Sequence, residues 1–194
     1  MKQIYLYLFL SLGLMSACAT ANRSTRGLNP GTVNISYMPP FSGAVRVGLS
    51  KNIESRFSYW YSRPVIDLFT HTSNPDNLFN YGLAGGIVLK PFWYNASEFT
   101  TFYFTSLTVG SSVKARFYPY LTFSYYSDLL HSGQSDSWDL AAGCETLVYK
   151  FKDSGNELIL TPEIILAPYF DGYPFNTMFL GTVGFGISFD LNKL

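Results

Sequence analysis

Charge is scarce in this sequence, and that scarcity is the first constraint on what the chain can be. Only 13% of its 194 residues are Asp, Glu, Lys or Arg, where roughly a quarter is usual in a soluble domain. That is too little charge to cover a water-facing surface. Lys plus Arg and Asp plus Glu each number 13, for a formal net charge of zero. Without a basic run or a positive excess, the chain lacks the electrostatic footprint of a nucleic-acid binder. Cysteine and histidine are also sparse, with two of each. Cys18 is assigned below to an export signal, so Cys144 has no intramolecular partner and no disulfide framework exists. Cys144 reads as a small buried or lipid-facing apolar residue. His71 and His131 are each expected in a loop, and no second His, Cys or carboxylate stands at ligand spacing. No metal and no cofactor is called for. A helical apolar stripe is missing from the chain beyond the signal, as is any Gly-rich phosphate cradle; Gly85-Gly86 and Gly184-x-Gly186 fall within expected strands, where Gly permits close packing.

Aromatic residues, by contrast, reach 18%, and apolar side chains follow two patterns. The first is at the N-terminus. Lys2 precedes an apolar run from Ile4 to Met15, shorter than the ~20 residues a membrane-spanning helix needs, which reads as the hydrophobic region of a signal peptide. The run ends in Met15-Ser16-Ala17-Cys18. This resembles the bacterial lipobox, with Met15 where leucine is commoner, two small residues, and a cysteine whose thiol accepts diacylglycerol. The resemblance implies cleavage before Cys18 and acylation of that residue, which at ~0.8 kcal/mol per buried methylene anchors the chain stably. Ala19 in place of Asp implies sorting to the outer membrane.

The second pattern is period-two alternation from Thr32 onward, broken by turn residues. Residues 19–30 show no periodicity and read as a tether. The expected organisation is therefore a signal peptide at 1–17, a lipidated N-terminus and tether at 18–30, and one all-β domain at 31–194. Its last segment sets Phe179, Val183, Phe185, Ile187, Phe189 and Leu191 on one face and Thr182, Gly184, Gly186, Ser188 and Asp190 on the other. Val45, Val47 and Leu49 likewise oppose Ala44, Arg46 and Gly48; Ile53, Phe57 and Tyr59 oppose Glu54, Arg56 and Ser58. Tyr81, Leu83 and Ile87 oppose Asn80, Gly82, Ala84 and Lys90; Trp138 and Leu140 oppose Asp139, Ala141 and Glu145; Leu160 and Ile164 oppose Thr161 and Glu163. A soluble sandwich would fill its solvent face with Lys, Glu and Thr. Here that face is Gly, Ala and Ser with isolated charges, which fits a narrow barrel interior with the large residues turned to lipid. Aromatics gather near segment ends, at Tyr59-Trp60-Tyr61, Phe92-Trp93-Tyr94, Phe117-Tyr118, Trp138, Tyr149, Phe151 and Tyr169-Phe170, where membrane interfaces favour them.

Strands are expected near 31–38, 42–50, 52–62, 78–91, 98–109, 113–127, 137–151, 156–168 and 177–191. Single-chain barrels have even counts. Ten follows if Pro64 to His71 hides a strand, and eight if the segments flanking Pro39-Pro40 are one interrupted strand. The alternation and the final strand Val183-Gly184-Phe185-Gly186-Ile187-Ser188-Phe189-Asp190 resemble the small outer-membrane β-barrel families of diderm bacteria. That resemblance implies a closed antiparallel up-and-down transmembrane barrel of 8 to 10 strands, with outer-membrane lipid and the lipoprotein-export and barrel-insertion machineries as partners.

Arg46, Glu54, Arg56, Lys90, Asp139, Glu145, Glu163 and Asp190 are the candidate interior charges. Buried charges need partners, so they either pair into a structural plug or line a polar path or small-ligand cleft. Asp128, His131 and Ser132 lie close in sequence, and outer-membrane barrels that deacylate lipid A use a Ser–His pair. A triad is a matter of spatial roles and not of sequence proximity, so no catalytic residue is assigned. The leading functional expectation is a non-enzymatic, lipid-anchored barrel that reinforces the membrane, displays loops or passes small solutes slowly. The alternatives are a periplasmic lipoprotein whose soluble, lipocalin-like barrel holds a hydrophobic ligand, with its apolar faces pointing inward, and, ranked after it, an outer-membrane lipid hydrolase or acyltransferase.

Overall fold

The computed structural model describes residues 24–38, 42–60, 63–72, 77–89, 102–111, 116–128, 137–152, 154–168 and 177–193. Ten strands run through them: β1 (Thr32–Met38), β2 (Ser42–Ser50), β3 (Ile53–Trp60), β4 (Arg63–His71), β5 (Phe79–Val88), β6 (Phe102–Ser111), β7 (Phe117–Asp128), β8 (Ser137–Lys150), β9 (Glu157–Pro168) and β10 (Thr177–Asp190). A short 3-10 turn, Leu191–Lys193, follows β10. Each strand pairs antiparallel with its neighbour in sequence, and β1 also pairs with β10, so the sheet closes into a barrel. Closure gives every strand two partners and leaves no exposed edge.

Ten strands, and not eight, follow from β4, the segment whose status the sequence leaves open. Its inward positions are Val65, Asp67, Phe69 and His71, while Ile66, Leu68 and Thr70 face out. Both faces carry large apolar residues, so the hydropathy alternation that marks the other strands is nearly cancelled here. The register with β3 (Arg56↔Asp67, Phe57↔Ile66) and with β5 (Phe69↔Ala84, His71↔Gly82) is nevertheless regular. His71 is thus the buried last residue of a strand and not a loop residue.

Two register shifts, between Gly48 and Ser50 in β2 and between Leu147 and Tyr149 in β8, lie at the end of the barrel that carries both termini. The strands are longest from β7 to β10 and shorter from β1 to β4. Connections 51–52, 72–78, 112–116 and 151–156 join strands at the terminus end, and 39–41, 61–62, 89–101, 129–136 and 169–176 join them at the other.

The two faces differ as the alternation predicts. Outward side chains include Ile35, Phe57, Leu83, Leu107, Phe123, Ile164, Val183 and Phe185, exposed by between 45% and 57%. The inward face holds Asn34, Arg46, Glu54, Arg56, Ser106, Thr108, Thr122, Ser124, Glu145 and Glu163, all buried. This is the reverse of a soluble ligand-carrying barrel, whose apolar faces would line the interior, so that alternative is corrected by the orientation of the strands. Exposed rings collect toward both ends: Phe79, Tyr81, Phe117, Tyr149 and Phe151 near the terminus end, and Tyr37, Tyr103, Tyr125 and Trp138 near the opposite one.

The interior is not made of small residues alone. Phe69, Phe104, Tyr120, Tyr126, Ile159 and Ile165 are buried there, with Val65, Phe69, Ala84, Val88, Phe104 and Tyr126 forming one apolar cluster. Glycine makes room for the largest of them. Tyr120 on β7 is paired with Gly143 on β8, and a Cβ on Gly143 would run into the Tyr120 ring; a Cβ on Gly82 would meet the Phe69 ring in the same way.

Residues 24–30, read from the sequence as the end of a tether, are packed into the terminus-end mouth. Ser24 and Thr25 are buried, as is Leu28. The Gly31 N–H donates to the Gly48 carbonyl at 2.9 Å and Leu191 N–H to the Gly31 carbonyl at 3.0 Å. Gly27 adopts a φ of 68° and leaves no space for a side chain against the His71 ring. This segment lacks periodicity because it is neither helix nor strand; it is a short irregular stretch held by specific hydrogen bonds.

Candidate functional site

The inward face of the hairpin β2–β3 places Arg46 and Glu54 one step apart across the strand pair. Arg46 Nε donates to Glu54 Oε2 at 3.0 Å and Nη2 to Glu54 Oε1 at 3.2 Å, while Nη1 reaches Glu145 Oε2 on β8 at 3.2 Å. Glu145 Oε1 accepts from Arg26 Nη1 at 3.1 Å, and Arg26 Nη2 pairs with Glu157 on β9. Lys150 Nζ closes on Glu157 Oε1 at 3.1 Å. On the other side, Glu54 Oε1 accepts the Leu28 N–H at 2.6 Å and lies 3.3 Å from His71 Nε2. The result is a continuous chain of alternating charge, Lys150–Glu157–Arg26–Glu145–Arg46–Glu54, crossing the barrel from the β8–β9 wall to the β2–β3 wall, with the His71 ring beside its last carboxylate.

Burial makes this chain consequential. Arg46 is 1% exposed, Glu54 0% and Glu145 1%. An isolated buried charge costs several kcal/mol, and the bidentate Arg46–Glu54 geometry is the arrangement that offsets such a cost best. Arg26 is less enclosed. Burial works against its charge, but Glu145 and Glu157 outweigh that effect and raise its pKa above the ordinary guanidinium value. Its guanidinium also lies 5.0 Å from the centre of the Tyr118 ring.

Other interior side chains pair separately from this chain. Arg56 Nε donates to Asp67 Oδ1 at 2.8 Å, and its guanidinium lies 5.5 Å from the centre of the Phe69 ring. The Tyr120 hydroxyl donates to Glu163 Oε2 and the Tyr126 hydroxyl to Asp139 Oδ2, each at 2.6 Å. Thr108 and Thr122 share a hydroxyl hydrogen bond of 2.9 Å, and Asn34 Nδ2 donates to Ser188 Oγ at 2.9 Å.

Of the interior charges read from the sequence, Arg46, Glu54 and Glu145 are brought into one cluster, Arg56 joins a separate pair, and Asp139 and Glu163 each meet a tyrosine. Asp190, at the end of β10, accepts the Asn192 N–H at 3.1 Å outside these groups. Lys90 and Cys18 lie outside the described residues, as do His131 and Ser132. Five participants are not among the candidate interior charges: Arg26, Asp67, His71, Lys150 and Glu157. Glu157 was within reach, since period two counted back from Glu163 through Thr161 and Ile159 lands on it. Arg26 carried no such signal, because it belongs to no strand.

Chemically, the arrangement neutralises itself. Among the described residues, no group of three or more His, Cys, Asp or Glu side chains could hold a metal ion. Cys144 is a half-buried free thiol, 3.7 Å from the Thr146 hydroxyl.

Fold and interior together define a closed ten-stranded antiparallel β-barrel, apolar outside and holding inside it polar and ionised side chains beside an apolar cluster. No protein-family model matches the chain, and no curated protein matches it. Among solved structures, the crystal structure of the N-terminal β-barrel domain of Pseudomonas aeruginosa OprF covers 84% of this chain and 100% of that domain, with a TM-score of 0.36 and 10% sequence identity. The barrel is accordingly defined by its own strand pairing.

Proposed function

We propose that this chain is a lipid-anchored outer-membrane barrel, acylated at Cys18 and non-enzymatic, which reinforces the membrane and displays the connections at its far end. The observation that carries the reading is the sidedness of the wall. A belt of half-exposed Leu, Ile, Val and Phe side chains encircles the barrel, far beyond the few hundred Å² of contiguous apolar surface that soluble monomers expose. Hydrocarbon accepts such a belt, and only a closed sheet satisfies its backbone there. Rings near both ends fit the two interfaces.

Length of connection supports an orientation. Outer-membrane barrels keep short turns on the periplasmic side and longer loops outside. The connections 89–101, 129–136 and 169–176 all lie at the end away from the termini, so the terminus end is read as periplasmic. Cys18 would then insert its acyl chains in the leaflet on that side.

Between the structural and solute-passage roles, the interior favours the first. The Arg46–Glu54–Glu145 cluster is almost fully hidden from solvent, and a salt-bridged belt of this kind blocks the bore where it sits. Reconstitution in planar bilayers tests both parts. The expected outcome is heat-modifiable migration on gels, with no steady conductance. A protein that stays monodisperse in detergent-free buffer after delipidation would remove the membrane reading, and a stable conductance would replace the plug with a pore.

A further inference from the structure

We propose that the terminus end of the barrel is a basic collar that binds the phosphate headgroups of anionic phospholipids in the surrounding leaflet. The inference rests on the reading of the chain as a membrane barrel. Lys51 lies in the turn between β2 and β3, Arg116 immediately precedes β7, Lys150 ends β8 and Lys152 stands just beyond it; all four side chains are exposed. Among the side chains whose burial is described, the exposed Lys and Arg are these four, while Arg63 begins β4 at the opposite end. Arg26, Arg46 and Arg56 are engaged in ion pairs of the interior and its mouth.

Height along the barrel gives these cations their meaning. Arg116 adjoins Phe117, and Lys150 sits between Tyr149 and Phe151, whose rings meet edge to face with centroids 4.9 Å apart. All three rings are exposed. Rings of this kind settle at headgroup level, and long cationic stems beside them extend their charge into the polar layer. The Leu147 N–H donates to the Arg116 carbonyl at 2.8 Å, which holds Arg116 beside β8 and makes one arc of Arg116, Lys150 and Lys152. Lys51 stands halfway round the ring of strands from that arc.

Three of the four collar cations, Lys51, Arg116 and Lys152, stand outside the ion-paired chain, and Lys150 is its outermost member. Glu157, the acid paired with Lys150, is shared with Arg26. Among the described residues no ion pair joins Lys51, Arg116 or Lys152 to an acid. A lipid phosphate meets this arrangement with the complementary charge at the matching depth, and each basic group near an anionic surface contributes attraction that salt screens.

The test is lipid selectivity of the full acylated chain in phosphatidylcholine vesicles, read from the motionally restricted fraction of spin-labelled phosphatidylglycerol against spin-labelled phosphatidylcholine. The expected result is a preference for phosphatidylglycerol of about threefold at low ionic strength, falling to about one in 1 M salt. It should fall likewise in the K51Q/R116Q/K150Q/K152Q variant. K51Q/K152Q alters only side chains with no ion pair among the described residues and should lose about half of the preference on a logarithmic scale. Equal association of both lipids with the wild-type barrel overturns the collar while leaving the membrane reading intact. Failure of the wild-type chain to insert overturns both. Selectivity that survives the quadruple change, or collar-dependent cosedimentation with peptidoglycan without lipid selectivity, also rejects the proposal.

Discussion

Arg46 grips both carboxylate oxygens of Glu54 on the adjacent strand and spends its remaining nitrogen on Glu145 across the barrel, at 3.0, 3.2 and 3.2 Å. One side chain therefore ties the β2–β3 hairpin to the opposite wall. The antiparallel ladder holds only neighbours together; this contact resists flattening of the whole barrel.

Replacing Arg46 by Met leaves two carboxylates buried with one cation withdrawn. Glu145 keeps Arg26, and Glu54 keeps the Leu28 N–H and His71. We expect a loss of about 3–5 kcal/mol, the usual consequence of breaking one side of a buried pair. Urea unfolding in detergent micelles measures it. The R46M/E54Q double variant should recover part of the loss, because the orphaned charge goes with its partner. A single-variant loss below about 1 kcal/mol would mean that water reaches the cluster and that it does not act as a plug.

Gly143→Ala places a methyl group where the Tyr120 ring lies. The ring must move, and its hydroxyl is held at 2.6 Å by Glu163. Overpacking of this kind costs about 1–3 kcal/mol. Combining Gly143→Ala with Tyr120→Leu should give less than the sum of the two separate losses, since the truncated side chain no longer collides. Additive losses in that double-mutant cycle would show that Gly143 matters for some other reason.

How much of this was legible beforehand depends on whether a feature repeats. Alternation in β10 and β2 marks Phe185 and Val45 as outward and Gly184 and Arg46 as inward, because the pleat turns every second side chain the same way. Strand β4 escaped that reading: Phe69 is inward and Ile66 and Leu68 outward, so polarity no longer reports the face. Pairing is likewise invisible in one strand alone. Arg46, Glu54 and Glu145 could be marked as interior, but Asp67 as the partner of Arg56 emerges only once β4 is set beside β3. The mouth segment was harder still, because Arg26 and Leu28 act through single hydrogen bonds that no period announces.

That segment yields a further prediction. Arg26→Ala removes the link between Glu145 and Glu157 while Arg46 and Lys150 still serve each carboxylate. Stability should fall by about 1–3 kcal/mol, the range for a charged hydrogen-bonding group removed from a partly enclosed site. Amide exchange should rise first at Leu28 and Gly31, whose N–H groups are tied to Glu54 and Gly48. Exchange that stays uniform across the chain would mean that the segment is not a separately opening unit.

The sidedness of the wall separates a membrane barrel from a soluble one most directly through a charge placed on its outer belt. Leu107 is 51% exposed on β6 and flanked by Leu83 on β5 and Phe123 on β7, well away from either rim. In water, Leu107→Arg would relieve apolar exposure and change stability by only about 0.5 kcal/mol in either direction. At the bilayer midplane the same substitution costs about 2–4 kcal/mol. Unfolding of the barrel from phospholipid vesicles should therefore show the larger loss. Cysteines at Phe185 and Ile187, but not at Gly184 and Gly186, should react with a bilayer-soluble reagent. The two measurements address the same question by independent means, energy and access. A neutral Leu107→Arg together with labelling at Gly184 would turn the strands inside out.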